Sequence, residues 1–152
     1  MQTAEMAPDF TAPRDGGETL TLSALRPKKV VLYFYPKDDT SGCTREAIDF
    51  TAHLGDFDAA DTVVIGVSKD PVASHDKFVK KHGLGIALVS DADSDICERY
   101  GVWAEKSMYG KKYMGIERTT LLIDGDGRIA RVWNKVKVPG HVAEVLEAAR
   151  AL

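Results

Sequence analysis

The chain has 152 residues, 44% of them hydrophobic and 28% charged, which suits one globular domain over residues 1–152 and excludes a disordered segment. A formal net charge of −3 argues against nucleic acid as partner, and no apolar run approaches the roughly 18 residues that cross a bilayer. Two cysteines are too few for a disulfide framework, and residues 1–8 show neither a basic opening nor an apolar stretch, so free thiols and a cytoplasmic location are expected.

Taken in chain order, the Asp15-Gly16-Gly17 turn and the segment Leu20 to Leu25 suggest an N-terminal hairpin. Lys29 to Tyr35 is a β-branched and aromatic run ended by Pro36, which predicts a central strand buried on both faces. From Gly42 to about Ala59 the apolar positions Ala47, Ile48, Phe50, Thr51 and Leu54 recur at helical spacing, and Thr62 to Ser68 reads as a strand. Asp70-Pro71 opens a helix that runs through Phe78 to a stop at Gly83, and Ala87 to Val89 is a short strand. Asp93 to Tyr100 predicts a short helix closed by Gly101, and Lys106 to Gly115 a loop rich in Lys, Tyr, Met and Gly. Arg118 to Ile123 and Arg128 to Trp133 flank the hairpin signal Asp124-Gly125-Asp126-Gly127, and Val142 to Leu152 closes the chain as a helix. The β-α-β start and β-β-α finish predict an α/β domain with one mixed sheet and helices on both faces.

Cys43 falls at the start of the first long helix. With Thr40 as N-cap, Cys43 is the third helical residue, where free amides and the helix dipole favour an anion, and the Thr40 hydroxyl points at the same amides. On position alone Cys43 is equally well a small buried hydrophobe. A thiolate that attacks a substrate also needs a cation facing the atom on which charge develops. Lys37 and Arg45 are close in sequence but opposed by Asp38 and Asp39. Arg118 opens a strand that can run beside the Cys43 strand, though taken alone it reads as a solvated charge at a strand end.

The run Tyr33-Phe34-Tyr35-Pro36-Lys37-Asp38-Asp39-Thr40-Ser41-Gly42-Cys43-Thr44-Arg45-Glu46-Ala47 resembles the active-site segment of peroxiredoxins, in the bacterioferritin comigratory protein (PrxQ) subfamily. The likeness extends over Ala7-Pro8-Asp9-Phe10, Ser90-Asp91, Tyr100-Gly101-Val102-Trp103 and residues 111–120. It implies a thioredoxin-like fold, a mixed central sheet flanked by helices with an N-terminal β-hairpin. It also implies a thiol-dependent peroxidase acting on hydrogen peroxide and organic hydroperoxides through a sulfenic acid on Cys43. Pro36 then shields the thiolate, Thr40 and the first-turn amides bind the peroxide, Arg118 stabilises charge, and Glu46 orients Arg118. No cofactor or metal is needed.

Three positions depart from the family pattern. Ser41 replaces a common Pro and should only loosen the turn. Ile48 and Val79 stand where relatives carry a resolving cysteine. Cys97, with apolar neighbours, reads as structural, and a resolving role for it is disfavoured because nothing brings it within the roughly 7 Å that a disulfide needs. A one-cysteine enzyme is therefore expected, recovered by an external thiol reductant such as thioredoxin, glutaredoxin or glutathione. A monomer is expected, with a weak dimer as the alternative.

Other signals fall away. A disulfide oxidoreductase would need Cys-x-x-Cys, but positions 40 and 46 are Thr and Glu; a cysteine phosphatase would need Arg at position 49, which is Asp. A redox sensor using the same thiol stays open as a non-enzymatic alternative. Asp124 and Asp126 fail as a calcium loop because the twelfth position is Lys135. His53, His75, His82 and His141 show no metal spacing and read as solvated side chains.

Overall fold

A computed structural model describes residues 1–152. The central sheet has five strands: β3 (Lys29–Phe34), β4 (Thr62–Ser68), β5 (Ala87–Ser90), β8 (Thr119–Ile123) and β9 (Ile129–Trp133), in the order β5-β4-β3-β8-β9. β3, β4 and β5 are parallel, while β8 and β9 run antiparallel to their neighbours. β3 is central as its apolar run requires, buried on both sides and joined to β4 and β8. The other strands form two hairpins, β1 (Thr11–Pro13) with β2 (Thr19–Thr21), and β6 (Trp103–Met108) with β7 (Lys111–Ile116).

Side chains alternate along β3 and divide the core into two layers. Val30, Leu32 and Phe34 face one layer, which includes Phe10, Leu22, Ile96, Cys97 and Tyr100. Val31, Tyr33 and Tyr35 face the other, which includes Cys43, Phe50, Phe78, Val145 and Leu146. The second layer is covered by α1 (Ser41–Ala52), α2 (Leu54–Ala59), α3 (Val72–His82) and α5 (His141–Ala151); α4 (Ile96–Arg99) and the N-terminal segment cover the first. This is the α/β arrangement expected, with a mixed sheet, helices on both faces and an N-terminal hairpin.

Four local expectations need correction. The hairpin ends at Thr21, and Leu22–Leu25 is a 3-10 turn. The helix expected from Gly42 to Ala59 is broken at His53, whose Nδ1–H donates to the Asp49 carbonyl at 2.9 Å while its backbone N–H turns to Phe50; a side chain inserted in the helical ladder bends it. The expected Asp93 to Tyr100 helix shrinks to one turn at Ile96–Arg99. The expected loop from Lys106 to Gly115 is the β6–β7 hairpin, closed by Tyr109 and Gly110 with φ of 53° and 78°. Two left-handed residues match the twist of the flanking strands. Most of the hairpin is exposed, so no apolar alternation advertised it.

Candidate active site

β3 delivers the chain to Tyr35, the loop 36–40 turns it, and α1 begins at Ser41 with Thr40 as N-cap. Cys43 is thus the third helical residue, as expected, and is 1% exposed. Pro36 ends the strand and, like Thr40, is exposed. The expected cap does not form. The Thr40 hydroxyl donates to the Lys37 carbonyl at 2.8 Å, and the first helical bond runs from Thr44 N–H to Thr40 O. The first-turn amides around Cys43 therefore have no side-chain acceptor, and the Thr40 oxygen keeps its lone pairs free.

Arg118, just before β8, is brought to the thiol from 75 residues away. Its Nη2 lies 3.2 Å from Cys43 Sγ and its Nη1 donates to Glu46 Oε1 at 2.7 Å. Gly42 makes room for it, since a Cβ there would stand 3.3 Å from Nη2. The Arg118 carbonyl accepts from the Val136 amide at 3.0 Å, which pins the residue at its backbone as well.

Glu46, one turn after Cys43, is fully buried, and Oε2 has no partner. Burial pushes its carboxyl up to about 7, outweighing the pull of Arg118 in the other direction. Beneath the site Tyr33 stacks on Phe50, with ring centroids 4.7 Å apart. A cavity of about 500 Å³ lined by Trp133, Lys135, Lys137, His141 and Glu144 lies apart from Cys43.

Cys97 lies in the other core layer, with the central sheet between the two thiols. It is fully buried, and Asp91 caps its helix by accepting from the amides of Ile96 (3.0 Å) and Cys97 (2.8 Å). Burial and the Asp91 carboxylate drive the Cys97 thiol far upward, which holds it protonated. Ile48 is exposed on α1, and Val79 lies on α3. Both cysteines are free.

The histidines correct another expectation. His75 is fully buried, bonded through Nδ1 to Asp38 at 2.7 Å and through Nε2 to the Val89 carbonyl at 3.0 Å. His141 is 5% exposed, bonded to Thr120 Oγ1 at 2.8 Å, with burial pulling its pKa to about 4. Reading the histidines one by one missed this; the signal was His75 sharing a helix face with Phe78, three residues on.

Residues 3–132 match the model of the AhpC/TSA family. The chain is 53% identical over 146 residues to a putative peroxiredoxin bcp of Coxiella burnetii, covering 96% of this chain and 97% of that one. It is 47% identical over 150 residues to peroxiredoxin Bcp of Bacillus subtilis, covering 99% and 96%. Among solved structures it resembles Xylella fastidiosa PrxQ, with a TM-score of 0.94 and 40% identity over 99% of this chain and 96% of that one. It also resembles the Xanthomonas campestris bacterioferritin comigratory protein described for its alkyl peroxide reduction activity, with a TM-score of 0.89 and 46% identity over 93% and 90%.

Proposed function

The chain belongs to the AhpC/TSA family, among the Bcp/PrxQ peroxiredoxins, and from that premise we propose that Cys43 is its peroxide-reducing thiol, recovered by an external reductant. The protein is a thiol-dependent peroxidase. The observation that carries the assignment is the Arg118 Nη2 to Cys43 Sγ contact of 3.2 Å at an uncapped helix start. Hydrogen bonds to a charged group are worth about 1.5–3 kcal/mol, and here the cation also faces the position where charge develops.

The Cys43 thiolate attacks the hydroxyl oxygen of a hydroperoxide. The S–O bond forms as the O–O bond breaks, the electron pair leaves on the second oxygen, and that oxygen takes a proton to depart as water or alcohol. Cys43 is oxidised to a sulfenic acid. Thr40 Oγ1, its proton committed to Lys37, accepts from the peroxide O–H, while Arg118 and the free amides face the departing oxygen. Pro36 shields the thiolate, and Glu46 holds the guanidinium through Nη1. Hydrogen peroxide and organic hydroperoxides are the substrates this chemistry takes, the Xanthomonas relative being described for its alkyl peroxide reduction activity.

A first external thiol condenses with the sulfenic acid, releasing water and leaving a mixed disulfide; a second releases Cys43. Thioredoxin, glutaredoxin and glutathione each supply this chemistry. The separation of Cys43 and Cys97 by the sheet supports recovery from outside. All five residues given roles at the site come from one chain, so a monomer is complete, and free thiols suit a reducing compartment such as the cytoplasm. No helix is long and apolar enough to cross a membrane.

Mass spectrometry after one equivalent of peroxide tests the reading. Native protein and Cys97→Ser should each gain one oxygen atom, and Cys43→Ser none. Peroxidase activity retained in Cys43→Ser refutes the assignment, and an intramolecular Cys43–Cys97 disulfide refutes the one-cysteine cycle.

A further inference from the structure

The loop that carries Thr40 and leads into the Cys43 helix contains two acids, and one helix holds both. Asp39 sits at φ 57°, a left-handed conformation that costs a non-glycine residue about 1 kcal/mol, so it must be held from outside. Its carboxylate is held by Lys81 Nζ at 2.7 Å and His82 Nε2 at 2.8 Å, both at the end of α3. Asp38 is buried. Its amide donates to Asp70 Oδ2 at 2.8 Å, and its carboxylate receives the Tyr35 hydroxyl (2.5 Å), the Ser74 hydroxyl (2.8 Å) and His75 Nδ1 (2.7 Å).

His75 shows both ring nitrogens facing acceptors. The Val89 carbonyl can only accept, so Nε2 donates to it, and Nδ1 shares a hydrogen bond with the Asp38 carboxyl. Burial acts to lower its pKa, but Asp38, the Val89 carbonyl and Asp70 together raise it. The charged or titratable groups facing it are Asp38 in the loop, Asp70 after β4 and Tyr35 after β3.

We propose that His75 is a positioning residue for the peroxide site: bridging Asp38 and the Val89 carbonyl, it ties loop 36–40 to the sheet and fixes Thr40 against Cys43. This rests on the reading of Cys43 as the reacting thiol. Asp38 is two residues before Thr40, so releasing it frees the very turn that aims the Thr40 oxygen. A misplacement of about 1 Å can cost on the order of a hundredfold in rate when a reaction depends on orientation. Alkylation of the same thiol by iodoacetamide needs no Thr40 acceptor and so does not depend on that turn.

The experiment compares second-order rates of Cys43 with hydrogen peroxide and with iodoacetamide in native protein, His75→Leu, His75→Asn and Cys43→Ser. His75→Leu should lose at least about thirtyfold with peroxide but less than about threefold with iodoacetamide. His75→Asn, whose amide N–H can still reach Asp38, should recover most of the peroxide rate. Equal losses with both reagents, or no loss with peroxide, overturn the proposal. If His75→Leu does not fold, His75→Gln, which can keep the Val89 contact but not the Asp38 one, is measured in its place: a loss confined to peroxide supports the proposal, and no such loss overturns it. Peroxide reduction surviving in Cys43→Ser would instead sink the site assignment, whatever His75 does.

Discussion

Glu46→Gln separates the electrostatics of the site from its shape. The native carboxyl is fully buried, with Oε1 on Arg118 at 2.7 Å and Oε2 without a partner, and burial raises it from an ordinary 4.5 to about 7. A rise of that size corresponds to about 3 kcal/mol, at about 1.4 kcal/mol for each tenfold in proton affinity. Because the folded value is raised, the folded chain binds this proton more tightly than the unfolded chain. The contribution is therefore fully present below about pH 4.5 and is lost as pH rises to about 7 and beyond. Glutamine keeps an oxygen for Arg118 and cannot ionise. Urea denaturation of both proteins between pH 4.5 and pH 8 should show the native chain losing about 3 kcal/mol relative to the variant across that window. His75, whose folded pKa is also raised, weakens the fold as pH rises in both proteins and cancels in the difference. A relative change under about 1 kcal/mol would refute the reasoning, because it would mean that Glu46 is ionised at no cost inside the fold.

Replacing Arg118 by Met removes the only cation within reach of Sγ in the site described and leaves Glu46 buried without a donor. Losing a charge-assisted bond of about 1.5–3 kcal/mol should slow Cys43 oxidation by roughly 10- to 150-fold in stopped-flow measurements, and a loss under threefold contradicts the role given to it. Gly42→Ala places a methyl 3.3 Å from Arg118 Nη2, so the guanidinium must yield by tenths of an ångström. The expected result is a several-fold slower peroxide reaction at unchanged or slightly raised melting temperature, since alanine favours the helix by about 0.5–1 kcal/mol; a fall in both would point to a fold defect instead. Gly66→Ala puts a Cβ 2.8 Å from Tyr33 Cζ and 2.9 Å from Leu88 Cδ2 in the fully packed layer under Cys43. It should destabilise the chain by about 1–3 kcal/mol in denaturant titrations, and no change would mean the Tyr33–Phe50 stack moves freely.

What the sequence disclosed follows from where the physics is local. The β3 run, the Asp124 turn and the helix start at Thr40 each write their geometry in adjacent residues, and the structure returned them within a residue or two. Asp124 itself closes its turn by accepting from the amides of Asp126 (2.9 Å) and Arg128 (3.0 Å), which gives the two aspartates a use other than calcium. Arg118 and Glu46 were legible only through resemblance, because the ion pair joins elements 72 residues apart. The β6–β7 hairpin was misread because solvent covers most of it and its turn is Tyr-Gly rather than Asn-Gly. His75 was misread because pairing with Asp38, invisible at a separation of 37 residues, is what makes its burial tolerable. Thr40 was placed correctly as the N-cap, yet its hydroxyl chose a carbonyl behind it over the amides ahead, a choice that spacing does not encode.

The alternation of β3 has a consequence for timing. Val31, Tyr33 and Tyr35 look toward one thiol while Val30, Leu32 and Phe34 look toward the other, so the sheet is a wall that neither sulfur crosses. A partner thiol tethered on the same side would act at an effective concentration near the millimolar range, at a rate indifferent to the surroundings. With recovery from outside, as proposed, the lifetime of oxidised Cys43 would scale inversely with the amount of reductant supplied. On that proposal the chain would be a gauge as well as a catalyst, its oxidised fraction following the balance of peroxide supply against thiol supply at each moment.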